Sequence, residues 1–175
     1  MRQISASYHA RETLPDGRIV HIRAIRPSDR NQLRHEFHRL SSASVRERFF
    51  NAKLDLTPKE LSYFTEVDFI MHVALVAELE SDSGLRPAGV ARFVRNQDQP
   101  DRSEVAITVA EDLHGQGIGK LLLKQLIQCA RELGVRHLDA SVLAQNSRIS
   151  NLLHHTGLPL ESRIEEGILT YSLSI

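Results

Sequence analysis

The segment Leu113-His-Gly-Gln-Gly-Ile-Gly-Lys120 sets glycines at 115, 117 and 119, immediately before an amphipathic helical pattern. Glycines at alternate positions leave backbone N–H groups unobstructed, and a helix N-terminus adds partial positive charge at the same place. In chemical terms this is a cradle for phosphate oxygens. Two familiar cradles fail on spacing. A P-loop read around Gly119-Lys120 needs its first glycine at His114 and its Ser or Thr at Leu121. A dinucleotide fingerprint begun at Gly115 or Gly117 needs a further glycine at Lys120 or Leu122. The single cysteine, Cys129, falls inside the apolar helical pattern, where a small buried residue is expected rather than a nucleophile. Nine histidines are present without any HExxH spacing; His35 and His38 lack a third ligand and His154-His155 are adjacent, so no metal site is read.

The elements around the cradle follow from pattern and punctuation. Ser103-Glu-Val-Ala-Ile-Thr-Val-Ala110 alternates as a strand, with Val105, Ile107 and Val109 on one face. Residues 117–133 take a helical period, closed by Gly134. Upstream, residues 18–26 read as a first strand and Pro27-Ser28-Asp29 starts a helix to about Leu40. A second short helix spans about 41–51. Thr57-Pro58-Lys59-Glu60 caps a third, to about Glu66. Residues 71–79 and 88–95 form a hairpin through Ser81–Gly84. After the cradle helix come a strand at 135–143, a helix at 146–155, and a hairpin pairing about 158–163 with 168–174. The expected fold is α+β, one domain over 16–175 behind a lead-in at 1–15 that is either flexible or an added strand. Its mixed, mostly antiparallel sheet has about six to seven strands, flanked by four to five helices.

Composition narrows the function classes. Lys plus Arg and Asp plus Glu both total 22, which gives no global positive field for nucleic acid. No apolar run approaches the length of a membrane span, and no signal-peptide core opens the chain. A cytoplasmic location is expected, as a monomer or a homodimer.

The cradle and its neighbours resemble the acyl-CoA pyrophosphate loop of the GNAT superfamily of N-acetyltransferases, in the run from Ala110 to Leu122. One departure is His114, where that family usually carries Gln or Arg. Asn146 matches the family's asparagine that supports the cofactor arm, and Thr156-Gly157-Leu158 stands where Leu-Gly-Phe is usual. Ile22–Asp29 resembles the family's first strand and helix cap. Ser41-Ser-Ala-Ser-Val-Arg-Glu-Arg-Phe-Phe50, together with 103–109, is similar to the bacterial Pat-type protein lysine acetyltransferase domain.

The resemblance implies acetyl-CoA as cosubstrate. Its pyrophosphate would lie on the amides of Gly115, Gln116, Gly117, Ile118, Gly119 and Lys120, with His114 able to donate a hydrogen bond in the place of Gln or Arg, and its pantetheine arm alongside residues 104–110. The arm would enter a gap between that strand and 136–143, and a backbone N–H of Val109 or Ala110 would polarise the thioester carbonyl. It also implies Glu104 as general base, acting through one water on an acceptor amine, most directly a protein lysine. A small-molecule amine acceptor, or a non-catalytic acyl-CoA-binding module, are the alternatives. The usual acid, a tyrosine, is replaced by Leu153, with His154 or His155 nearby. The first two helices and the last hairpin are expected to wall the acceptor site. Glu161, Glu165 and Glu166, and similarly Glu66 and Asp68, are candidates to attract the amine; Arg46 and Arg48 are candidates to order the helical cap or reach the donor.

Overall fold

The alternation read in the strands resolves into a single eight-stranded sheet in a computed structural model describing residues 4–175. In chain order the elements are β1 (His9–Thr13), β2 (Ile19–Ala24), a 3-10 turn at Pro27–Asp29, α1 (Arg30–His38), α2 (Ser42–Phe49), α3 (Pro58–Thr65), β3 (His72–Ser81) and β4 (Gly84–Arg95). They continue with β5 (Arg102–Val109), a 3-10 turn at Glu111–Leu113, α4 (Ile118–Glu132), β6 (His137–Leu143), α5 (Ser147–His154), β7 (Leu160–Glu165) and β8 (Ile168–Ser174). The strand order is β1-β2-β3-β4-β5-β6-β8-β7, antiparallel everywhere except between β5 and β6. One strand more is present than the seven read from pattern: β1, within the stretch expected as a lead-in. It pairs with β2, and Ile4, Tyr8 and Leu14 around it are buried in the main core, so this stretch belongs to the domain. Residues 1–3 of the expected lead-in lie outside the described residues.

The two faces of the sheet are covered differently. α4 lays Ile118, Leu122 and Leu126 against one face, meeting Phe93 and Val105 in the main core, and Leu153 of α5 joins them. Leu122 and Phe93 are removed from water completely, as expected for an amphipathic helix on a sheet. The opposite face is roofed by α1, α2 and α3, which hold a small core of their own: Phe37, Val45, Leu56 and Leu61. These short helices depend on caps. Thr57 Oγ1 accepts from the Glu60 N–H at 3.2 Å while the Thr57 N–H donates to Glu60 at 2.8 Å, and Ser41 caps α2 by accepting from Ser44 N–H at 3.1 Å. Because that roof is thin, cavities remain beneath it.

Candidate active site

β5 and β6 pair only over Arg102–Glu104 with His137–Asp139, and then diverge. The register on the other side of β5 determines what the divergence exposes. Val109 lies opposite Gly89, and the Ala110 N–H donates to Ala88 O at 2.9 Å. In an antiparallel ladder the hydrogen-bonded pairs alternate, so residues 104, 106, 108 and 110 bond towards β4 while 105, 107 and 109 turn their N–H and C=O groups into the gap. The Val109 amide therefore faces the gap. Ala110, the other amide expected to polarise a carbonyl, is engaged with β4 and does not. A cavity of about 480 Å³ runs from Glu104 along the gap to the glycine loop, past Val109, Gly117, Asn146 and Leu152.

At the loop, Gly115 and Gly117 have φ of +73° and +96°, a backbone region that side-chain-bearing residues rarely adopt. Gly117 is the N-cap of α4, and its conformation swings the amides of Gly117, Ile118, Gly119 and Lys120 outward. None of these four meets a protein acceptor among the described residues. No acidic side chain occupies the first turn of α4, so nothing there repels an anion. Gly119 differs: a Cβ there would make only ordinary contacts with Leu152 and Val109, so neither backbone conformation nor space within the protein requires glycine at this position.

The side chains expected at the cofactor do several different things. His114 Nε2 donates to Val109 O at 2.9 Å, so the residue replacing Gln or Arg ties the loop to the end of β5. Gln116 is turned away, accepting from Arg18 at 2.7 Å and donating to Asp112 O at 2.8 Å. Asn146 is 5% exposed and caps α5, its Oδ1 accepting from Ile149 N–H at 3.3 Å; its amide nitrogen is the part left for the gap. Lys120 is exposed at the mouth.

Glu104 sits where β5 and β6 begin to part, paired with Val94 on β4 and Asp139 on β6. Opposed residues share a face, so Glu104 and Ala106 lie with Val94 and Arg92 on the face roofed by α1–α3. A second cavity, about 320 Å³, occupies that face. It meets the gap at Arg48, Ala106 and Thr108, which line both. The two carboxylates along the gap differ. Glu47 is bound by Arg148 at 2.9 Å, whereas Glu104 has no hydrogen bond or ion pair of its own among the described residues.

Several expectations for the acceptor side need correction. Glu161, Glu165 and Glu166 are exposed on the β7–β8 hairpin at the sheet's far edge and line neither cavity. Asp68 accepts the N–H groups of Ile70, Met71 and His72, which makes it a turn residue, and Glu66 pairs with Arg30. Leu153 is buried, and His154 turns to Ser150 O and the Tyr171 ring. His155 does line the gap, but its Nδ1–H is taken by Asn151 O at 2.6 Å. Cys129 is buried, and burial pushes its thiol up to about 12, out of nucleophilic range. Arg92, which reasoning from the sequence missed, was signalled by its own strand: a lone arginine sharing a face with Val90 and Val94.

The model of the acetyltransferase (GNAT) family matches residues 34–157. The chain belongs to the GNAT acetyltransferase family. It is 33% identical over 144 residues to acetyltransferase PA5475 of Pseudomonas aeruginosa, covering 82% of this chain and 77% of that one. It is 31% identical over 142 residues to acetyltransferase Pat of Mycolicibacterium smegmatis, covering 81% of this chain but 41% of that longer protein. The crystal structure of the GNAT domain of S. lividans PAT superposes with a TM-score of 0.87 at 27% identity, covering 99% and 100% of the two chains. The fold also matches the Salmonella typhimurium yncA putative acetyltransferase, solved with acetyl-CoA, at TM-score 0.70 and 21% identity over 89% and 93%. This is a Pat-type GNAT domain, and as a GNAT acetyltransferase it draws on acetyl-CoA. The residues present fit that group: free amides at the start of α4 for its phosphates, and a gap edged by Val109 and Asn146 for its arm. No helix among the described residues is long and apolar enough to cross a membrane.

Proposed function

We propose that this chain moves the acetyl group of acetyl-CoA to a primary amine, a protein lysine side chain, with Glu104 as general base. The observation that carries the reading is Glu104 itself: a carboxylate with no hydrogen bond or ion pair among the described residues, beside the fork where the donor gap meets the roofed cavity. A lysine amine has an unperturbed pKa of about 10.4, so at neutral pH it must lose a proton before it can attack. An unpaired carboxylate at the fork can take that proton, through one bridging water. The amide of Val109 is oriented to stabilise the oxygen on which negative charge develops. His114, by holding Val109 O, fixes the next peptide along and so anchors the end of β5. No protein acid is assigned, since a thiolate is a tolerable leaving group near neutral pH and the candidate positions are buried or engaged. The residues that hold the donor are those at 114–120, with Val109 and Asn146. This reading puts the chain in the cytoplasm.

The test is an acceptor panel of folded proteins, lysyl peptides, amino acids and polyamines, with products located by mass spectrometry. Acetylated lysine in proteins or peptides is expected. Acetylation confined to small amines would replace the acceptor, and tight acetyl-CoA binding without any turnover would reduce the chain to a binding module.

A further inference from the structure

Two arginines under the helical roof are bonded to no carboxylate among the described residues. Arg92 rises from β4 opposite Ala106 and is 5% exposed. Its Nη1 donates to Phe64 O at 3.2 Å and faces His72 Nε2 at 3.1 Å, and its guanidinium lies over the Phe64 ring at 4.5 Å. Arg48, in the last turn of α2, stacks on Phe49 at 5.0 Å and flanks the same Phe64 ring at 5.9 Å. Arg48 makes no hydrogen bond and no ion pair among the described residues.

The carboxylates of that cavity are all engaged elsewhere. Asp29 and Glu78 are both bound by Arg23, at 2.8 and 2.9 Å. Glu111 accepts from the N–H and hydroxyl of Ser41, Asp112 pairs with Arg86, and Glu36 with Arg39. His72 cannot serve either: burial first, then Arg92, lower its pKa to about 4, so it is neutral. Burial and Arg48 lower Arg92 to about 9, which still leaves it charged at neutral pH. Burial lowers the pKa of Arg48, and Glu104, which does not bond to it, opposes that shift through space.

Burying cations without a counter-charge is costly, and the planar fork of guanidinium matches a carboxylate in bidentate fashion. We propose that Arg48 and Arg92 form an oxyanion pocket on the acceptor side, filled by a carboxylate that the acceptor carries close to its amine. This rests on the acetyltransferase reading above and names its substrate class. The floor beside the arginines and Glu104 is small, Ala106 and Thr108, which leaves room for the acceptor. Arg92 is opposite Ala106, two residues from Glu104, or about 7 Å along a strand. The acid and the amine therefore belong to neighbouring groups. Two sources share this chemistry: an acidic residue beside the acceptor lysine, or the carboxylate of a small amino acid.

The test uses matched pairs. One is a lysyl peptide with Glu or Gln beside the lysine; the other is a free amino acid or its amide. In one pair the acid form should have a kcat/KM about 10- to 100-fold above its neutral twin, as for a charge-assisted hydrogen bond, and which pair responds names the source. In Arg48→Gln the ratio should fall towards one, mainly through KM. Equal values within both pairs overturn the pocket while leaving the acetyltransferase reading standing. Absence of all turnover would instead overturn that reading, and the pocket is then judged by binding. In the native chain with CoA, the arginine Nε–Hε NMR signals of Arg48 and Arg92 should shift saturably with N-acetylglycine and not with its amide. Signals that ignore both, or answer both alike, overturn it.

Discussion

On the edge of β5 that looks towards β6, the groups offered to a ligand are main-chain amides: Val109, and Gly117 to Lys120 at the head of α4. On the face of β5 under the helical roof they are side chains, from α2, β4 and β5, held apart by the Phe64 ring. A donor whose phosphates are invariant can be met by fixed backbone geometry, set by two left-handed glycines and one strand divergence. An acceptor has to be distinguished from other amines, and in the proposed pocket that discrimination falls to charged side chains. The two sides meet at Arg48, Ala106 and Thr108, beside Glu104.

The largest effect should come from breaking the donor side alone. Gly117→Glu forces a Cβ and a negative charge into a left-handed N-cap, and acetyl-CoA affinity by calorimetry should fall about 100-fold or more. On the acceptor side, His72 tests whether the roof is held by a neutral imidazole. Its folded pKa of about 4 lies below its ordinary 6.5, so the unfolded chain binds the extra proton. Stability is highest above about pH 6.5 and is lost progressively as pH falls towards 4, by about 3 kcal/mol in total. His72→Gln should flatten that stretch of the stability–pH curve measured by urea unfolding.

Between the two sides lies Gly89, opposite Val109. A Cβ there would stand 2.8 Å from Thr108 O and 3.0 Å from a Leu122 methyl, so Gly89→Ala should cost about 1–3 kcal/mol in urea and weaken acetyl-CoA binding by displacing Val109. The smallest effect is a control on the roof: Thr57→Ala removes a capping box and should cost about 1 kcal/mol with acetyl-CoA affinity unchanged.

The same contrast explains what could be read in advance. The cradle was legible because glycine spacing, strand and helix are contiguous in sequence, and Glu104 came with the strand that leads into it. Which amide faces the gap was not, because Val109 and Ala110 are distinguished only by the pairing of β5 with β4. The inward turn of His114 needed the carbonyl it meets. The β7–β8 acidic cluster was misplaced because sequence does not say at which edge of a sheet a last hairpin lands. Arg48 and Arg92 become neighbours only through Phe64, a third segment. β1 was left open because five residues carry too short a pattern; its pairing with β2 and the burial of Tyr8 and Leu14 decide it.

In the proposed reaction Glu104, beside the junction of the donor gap and the roofed cavity, takes the amine's proton. Single-turnover acetylation by Glu104→Gln, at saturating acetyl-CoA and with the donor's Kd measured alongside, tests it most directly. A rate lower by about 100- to 10,000-fold with Kd unchanged is expected. A rate equal to the native one at the same affinity would contradict it.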